Sequence, residues 1–232
     1  MPGVGVEVGD GWVVGGGLLK YSMLFPSPPL LLAPDFWLLP GFAAGKNLRA
    51  DIEAIAALAP FRHLVVPGGK SMAVAMTNCG PLGWTSSAQG YQYLPHDPVT
   101  LQPWPAMPPS FVQLARDAAA VALWPLFTPD ACLVNRYAPG AGMGLHQDRD
   151  EQDLRAPIVS VSIGASCKFM LGGLQRSDAV QSVALHHGDV MVWGGQSRLV
   201  FHGVRPLPSS GSEFRYNLTF RQAGIGVAKV ED

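Results

Sequence analysis

NRYAPGAGMGLHQDRD, Asn135 to Asp150, is the stretch that makes sense of the rest of the chain. It carries His146-Gln147-Asp148, an imidazole and a carboxylate two residues apart. On a β-strand, residues i and i+2 point to the same side, so these two groups project together. Asn135, Arg136 and Tyr137 read as a preceding strand. Pro139, Gly140, Gly142 and Gly144 can then bend the chain sharply before His146.

Alone, a His-x-Asp tripeptide is more often surface polarity than a metal site, so a third ligand matters. His202 follows the apolar run Leu199-Val200-Phe201 and precedes Gly203. It is either a third ligand or a hydrogen-bonded core histidine. Its rivals His186 and His187 precede Gly188-Asp189, a turn into the next strand, and read as loop residues. Two histidines and one carboxylate on one face of a metal, with the opposite positions open, is the ligand set of non-heme Fe(II) oxygenases.

A second candidate site lies near the end of the chain, in Arg215-Tyr216-Asn217-Leu218-Thr219-Phe220-Arg221. Period-2 geometry puts Arg215, Asn217, Thr219 and Arg221 on one face and Tyr216, Leu218 and Phe220 on the other. The polar face is either the solvated side of an edge strand or the wall of a binding cavity. In a cavity, two inward guanidinium groups require an anion, because unpaired buried charge is costly. A dicarboxylate suits, since Arg forks bind carboxylates bidentately.

The chain has 232 residues, a formal charge of −1, 27 glycines and 21 prolines. That length suits one large domain or two small ones. No global basic field advertises a nucleic-acid binder, so such a partner needs a local patch. The Gly and Pro content suits a turn-rich β architecture rather than disorder. Cys79, Cys132 and Cys167 are odd in number and widely spaced, which supports neither a disulfide framework nor a zinc ribbon. A reducing, cytoplasmic location follows most simply. No apolar run is long and unbroken enough to span a membrane.

Residues 1–33 are Gly-rich, then Pro-rich, and nearly uncharged. They read as a weakly structured extension, and Met23 offers an alternative start. Residues 34–110 form an N-terminal segment. Within it, Pro34 to Ala43 reads as a strand entering a turn and Lys46 to Ala59 as a helix, with Leu48, Ile52, Ile55, Ala56 and Ala59 on one face. Ser71 to Asn78 reads as a strand. Gly80 to Pro109 reads as a long irregular loop with Trp84, Tyr91, Tyr93 and Trp104, and loops of that length usually have a function. Residues 111–232 are a helix followed by short strands between turns. Ser110 and Gln113 resemble a capping box for that helix, which runs to about Trp124. The strands are Cys132–Tyr137, Ile158–Ile163, Cys167–Leu171, Val183–Leu185, Asp189–Trp193, Leu199–His202 and Phe214–Arg221. This pattern predicts a mainly β sandwich, barrel or jelly roll with flanking helices.

Six stretches in order, MTNCGPLGWTSSAQGYQY, PWPAMPPSF, NRYAPGAGMGLHQDRD, APIVSVSIG, HHGDVMVWGGQSRLVFHGV and RYNLTFRQ, carry a family resemblance. The sequence resembles AlkB-type iron- and 2-oxoglutarate-dependent dioxygenases, the bacterial nucleic-acid dealkylases. The resemblance implies a double-stranded β-helix (jelly-roll) core with a nucleotide-recognition lid before it. It implies Fe(II) at His146, Asp148 and His202, with 2-oxoglutarate and O2 as co-substrates. It pairs the distal carboxylate of 2-oxoglutarate with Arg215 and the Tyr137 hydroxyl, and it completes the pocket with Asn135, Asn217 and Arg221. It places Trp84 on an extruded base opposite His146, with Tyr91, Met72, Asp150 and Arg176 near the base and its phosphates. The implied reaction is oxidative demethylation of bases such as 1-methyladenine and 3-methylcytosine, releasing succinate and formaldehyde. The implied partner of a monomeric enzyme is alkylated DNA, with single strands preferred. An RNA demethylase, a protein or lipid oxygenase, and a non-catalytic metal-binding jelly-roll module are the alternatives.

Overall fold

The computed structural model describes residues 27–88 and 90–224. Most of the expected N-terminal extension lies outside them, as does Met23. Its last residues do not fit the expectation: Leu30–Ala33 forms strand β1, paired antiparallel with β2, Phe36–Leu39.

Fourteen strands and two α-helices follow one another along the described residues. Helix α1 is Leu48–Leu58 and buries Leu48, Ile52 and Ile55, the face read from spacing. After β3, Arg62–Val65, and β4, Ser71–Cys79, comes a hairpin of β5, Gly83–Ser87, and β6, Gly90–Leu94. The long loop expected over 80–109 therefore contains an ordered two-stranded unit. Gly90 makes its return possible, with φ +119, a backbone region that side chains disfavour. Helix α2 is Pro109–Val121. The capping box expected at its start does not form. Pro108 is the N-cap, and the Ser110 hydroxyl donates to Asp51 on α1 instead.

The remaining strands are β7 Ala131–Tyr137, β8 Met143–His146, β9 Ile158–Gly164, β10 Cys167–Leu171, β11 Gln181–Leu185, β12 Val190–Trp193, β13 His202–Val204 and β14 Arg215–Arg221. Two of them correct the sequence reading. His202 opens its strand rather than closing it, since Leu199 to Phe201 are turn and irregular chain after the 3-10 turn at Gly195–Ser197. Strand β8 ends at His146, so Asp148 lies just beyond regular structure.

Eight strands form one antiparallel sheet in the order β1-β2-β12-β9-β14-β7-β4-β3, and β11-β10-β13-β8 form a second. This is the two-sheet jelly roll expected from the sequence. Both helices cover the outer face of the larger sheet, where Ile52, Phe111, Leu114 and Ala118 pack on Val134, Val161, Leu218 and Phe220. A second cluster with Phe36, Trp193, Phe169, Leu171 and Val204 lies between the sheets. Strand β14 is central, flanked by β9 and β7, and every one of its residues is buried. Its polar face is thus the wall of the interior and not a solvated edge.

Candidate metal and co-substrate site

The two histidines meet because β8 and β13 pair with His202 opposite His146. Gly203 allows this approach. A Cβ there would stand 2.6 Å from the Met143 carbonyl and 2.9 Å from that of Gly144. The rings of His146 and His202 lie 4.4 Å apart, and His202 is held between Phe169 and Trp193. Asp148, two residues past His146, brings Oδ1 to 3.7 Å from His146 Nε2 and Oδ2 to 3.8 Å from His202 Nε2. The ligand atoms of all three lie within 4.8 Å of one another.

The ring tautomers fit metal binding. Nδ1 of His146 lies 2.9 Å from the Gly144 carbonyl, and Nδ1 of His202 lies 3.1 Å from that of Val200. A carbonyl only accepts, so each Nδ1 carries the hydrogen and each Nε2 presents its lone pair. Burial pushes the His202 imidazole down to about 4, with His146 adding to the effect, so it is neutral at physiological pH. Burial alone would raise the Asp148 carboxyl. The Arg221 guanidinium beside it, with smaller help from the two imidazoles, outweighs burial and holds the group below the usual carboxylate range. Two imidazole nitrogens and one carboxylate are the donors that a divalent first-row metal takes.

Beside this cluster, β14 turns Arg215, Asn217, Thr219 and Arg221 into a cavity of about 680 Å³. Arg215 is 1% exposed. Its Nη2 donates to Ser162 Oγ at 3.0 Å, and its guanidinium lies 4.9 Å from the Tyr137 ring centre. Among the described residues Nε and Nη1 have no partner, nor does Nη1 of Arg221 or Oδ1 of Asn135. A buried cation with idle donors beside a metal cluster fits a bound anion. Arg221 is otherwise engaged, with Nη2 2.6 Å from Asp148 Oδ2 and Nε 3.0 Å from Glu151 Oε1, off the hydrogen-bond line. These carboxylates hold its pKa above the ordinary value despite burial, so the charge is permanent.

The hairpin covers the same cavity. Met72, Trp84, Tyr91 and Asp150 line it together with His146. Trp84 stacks on Tyr91 at 5.2 Å, and its Nε1 donates to Asp150 Oδ2 at 2.8 Å. Asn78 on β4 fixes the main chain of Trp84. Its Oδ1 accepts the Trp84 N–H and its Nδ2 donates to the Trp84 carbonyl, both at 3.0 Å. Arg176 does not join the others. It is exposed, outside the cavity lining, and donates to the Leu145 carbonyl of β8. Sequence reasoning missed Asn78, Tyr93, Glu151 and Arg198. No spacing announces them, because each matters through a partner brought close only by folding.

Among the described residues, no helix is long and apolar enough to cross a membrane. Residues 35–221 match the family model of the 2OG-Fe(II) oxygenase superfamily. The chain is 57% identical over 199 residues to the alpha-ketoglutarate-dependent dioxygenase AlkB of Salmonella typhimurium, covering 83% of this chain and 92% of that one. It is 58% identical over 187 residues to the protein of the same name from Escherichia coli, covering 79% and 87%. The solved structure of OsALKBH1 superposes with a TM-score of 0.73 at 28% identity, covering 84% of this chain and all of that one.

Proposed function

This chain belongs to the 2OG-Fe(II) oxygenase superfamily as an AlkB-type, alpha-ketoglutarate-dependent dioxygenase, and on that premise we propose that it demethylates alkylated bases in DNA. One observation carries the reading: a single cavity joins the three-ligand cluster, the under-paired Arg215 and an aromatic lid. His146, Asp148 and His202 hold Fe(II). Arg215 binds the distal carboxylate of 2-oxoglutarate beside the Tyr137 hydroxyl, with Asn135, Asn217 and Arg221 completing that pocket. The bound iron supplies the oxidising chemistry, in which O2 and 2-oxoglutarate yield succinate and carbon dioxide while the methyl carbon leaves as formaldehyde.

The chain's own residues do the rest. Arg221 keeps Asp148 ionised and fixed. Trp84 offers its free face to an extruded base, with Tyr91 backing the other face and Asp150 fixing the indole. A base inside a duplex is shielded by stacking, so extrusion or a single strand is required. Single-stranded DNA is the preferred substrate, Tyr91 meets its phosphates, and Met72 borders the base. Residues 34–110 bear the lid and also add β2, β3 and β4 to the large sheet, and residues 111–232 bring the rest of the dioxygenase core. The enzyme works as a cytoplasmic monomer.

The test is an assay of the full chain with Fe(II), 2-oxoglutarate and O2. Its substrates are DNA and RNA oligonucleotides, single- and double-stranded, carrying 1-methyladenine or 3-methylcytosine. Demethylation with matched formaldehyde and succinate is expected, fastest on single-stranded DNA. Consumption of 2-oxoglutarate with no base restored on any oligonucleotide rejects the reading. Faster turnover of RNA replaces DNA as the substrate.

A further inference from the structure

Glu151 is a buried carboxylate to which the reaction as described gives no task. It is 7% exposed, and three donors surround it. Tyr93 Oη donates to Oε1 at 2.8 Å, Arg198 Nη2 donates to Oε2 at 2.9 Å, and Arg221 Nε lies 3.0 Å from Oε1. Each donor leads elsewhere. Tyr93 belongs to lid strand β6. Arg221 reaches the side chain of Asp148 through Nη2, at 2.6 Å. Arg198 reaches the main chain of the same residue, with Nη1 2.7 Å from the Asp148 carbonyl, while its Nε holds the Ala156 carbonyl. One carboxylate is thus held by the lid, and it holds both guanidinium groups that fix the metal-site aspartate.

Two guanidinium groups and two carboxylates balance in charge. Burying them still costs more than an apolar core would, so such a network is weak evidence for stability. Its layout answers a different need. The phenol of Tyr93 is pushed upward by burial, so it remains a donor across the working pH range. Any displacement of β6 would take that donor from Glu151 and loosen the carboxylate beside Arg221.

We propose that Glu151 is a positioning residue that couples the lid to the metal-site carboxylate, through Tyr93 on one side and Arg221 and Arg198 on the other. The proposal rests on the functional reading above for the roles of the lid and the metal. It extends that reading by making the fixing of Asp148 depend on where the lid stands.

The test uses the full chain and Mn(II) alone as the metal probe, measured by calorimetric titration beside thermal unfolding. Removing a group that directly orients a metal ligand costs about 10–100-fold in affinity, and Glu151→Gln, which acts one contact further out, is expected to weaken Mn(II) toward the lower end of that range, about tenfold. Tyr93→Phe deletes one oxygen and is expected to weaken Mn(II) by a smaller factor. On a methylated oligonucleotide it also lowers the formaldehyde released per succinate formed. A tyrosine that only packs would lower the melting midpoint and move neither readout. If Glu151→Gln does not fold, Arg198→Lys carries the metal arm, because lysine keeps the charge and loses the fork. Parent-like Mn(II) affinity in a cooperatively folded Glu151→Gln or Arg198→Lys overturns the proposal, as does an unchanged product ratio together with unchanged Mn(II) affinity in Tyr93→Phe. If the parent chain demethylates no oligonucleotide, the functional reading fails, and the Mn(II) titrations still decide the coupling.

Discussion

At the scale of single residues, the site is defined by side chains with unmet hydrogen-bonding capacity. Arg215 is buried with two donors that meet no partner among the described residues, so its charge is costly to bury until an anion arrives. Arg215→Ala should therefore raise the half-saturating 2-oxoglutarate concentration sharply without lowering the melting point of the ligand-free protein. It should also abolish the rise in melting point that added 2-oxoglutarate gives the parent. An unchanged half-saturation would remove Arg215 from the pocket. Trp84 is the opposite case, a side chain already engaged on one face by Tyr91 and at its nitrogen by Asp150. Its free face contributes on the order of 1–3 kcal/mol to a stacked base. Trp84→Ala should weaken methylated-oligonucleotide use by roughly one to two decades, at about 1.4 kcal/mol per decade. Metal and 2-oxoglutarate titrations of the same variant should match the parent. If stability and co-substrate binding fall together with substrate use, Trp84 is packing and not a lid.

At the scale of elements, what could be read in advance depended on whether the signal was local. The alternation in β14 and the spacing in α1 are local, and both are found as read. The hairpin was hidden because its order comes from outside it. Asn78 supplies the strand-like pairing for Trp84, and Trp104 donates to the Leu94 carbonyl at its other end. The capping box failed for a related reason, since Asp51 on a neighbouring helix competes for the Ser110 hydroxyl. The element most dependent on such help is the hairpin, and Asn78 tests it. Asn78→Ala leaves the N–H and carbonyl of Trp84 without that partner, a loss of about 1 kcal/mol per hydrogen bond. Two such bonds correspond to a rise in oligonucleotide KM on the order of tenfold or more. The expected signature is a raised KM with kcat and 2-oxoglutarate half-saturation held. Asn78→Asp, which keeps the acceptor and loses the donor, should fall between. Parallel loss of kcat and co-substrate binding would mean that Asn78 supports β4 in the large sheet and not the hairpin.

At the scale of the whole molecule, the metal cluster is a joint between the two sheets. His146 and His202 sit on the small sheet, and Asp148 is fixed by Arg221 on the large one. The six motifs pointed to the three ligands and the jelly roll, whereas neither the pairing of Arg221 with Asp148 nor the ionic web of Glu151, Arg198 and Arg221 could be seen in a chain whose formal charge is only −1. Such a joint makes stability depend on protonation. His202 titrates at about 4 in the folded metal-free protein, because burial disfavours its charged form. In the unfolded chain it titrates at about 6.5. Between those values the unfolded state binds a proton that the native state refuses, so stability falls as pH is lowered through the window. At about 1.4 kcal/mol per pKa unit the His202 contribution is on the order of 3 kcal/mol, fully present above about pH 6.5 and lost by about pH 4. Asp148 takes over below that. Its folded pKa is depressed, so its contribution is present above about pH 4, the unfolded value, and disappears as the carboxylate protonates at lower pH. Urea unfolding of the metal-free protein in chelator, from pH 7.5 down to 4.5, should show this loss. In His202→Gln the part of the slope belonging to that residue should vanish, so the two stability curves converge as the pH is lowered. Curves that stay parallel across the window would mean that His202 takes up its proton as readily in the folded protein as in the unfolded chain, and is not the buried neutral ligand that joins the sheets.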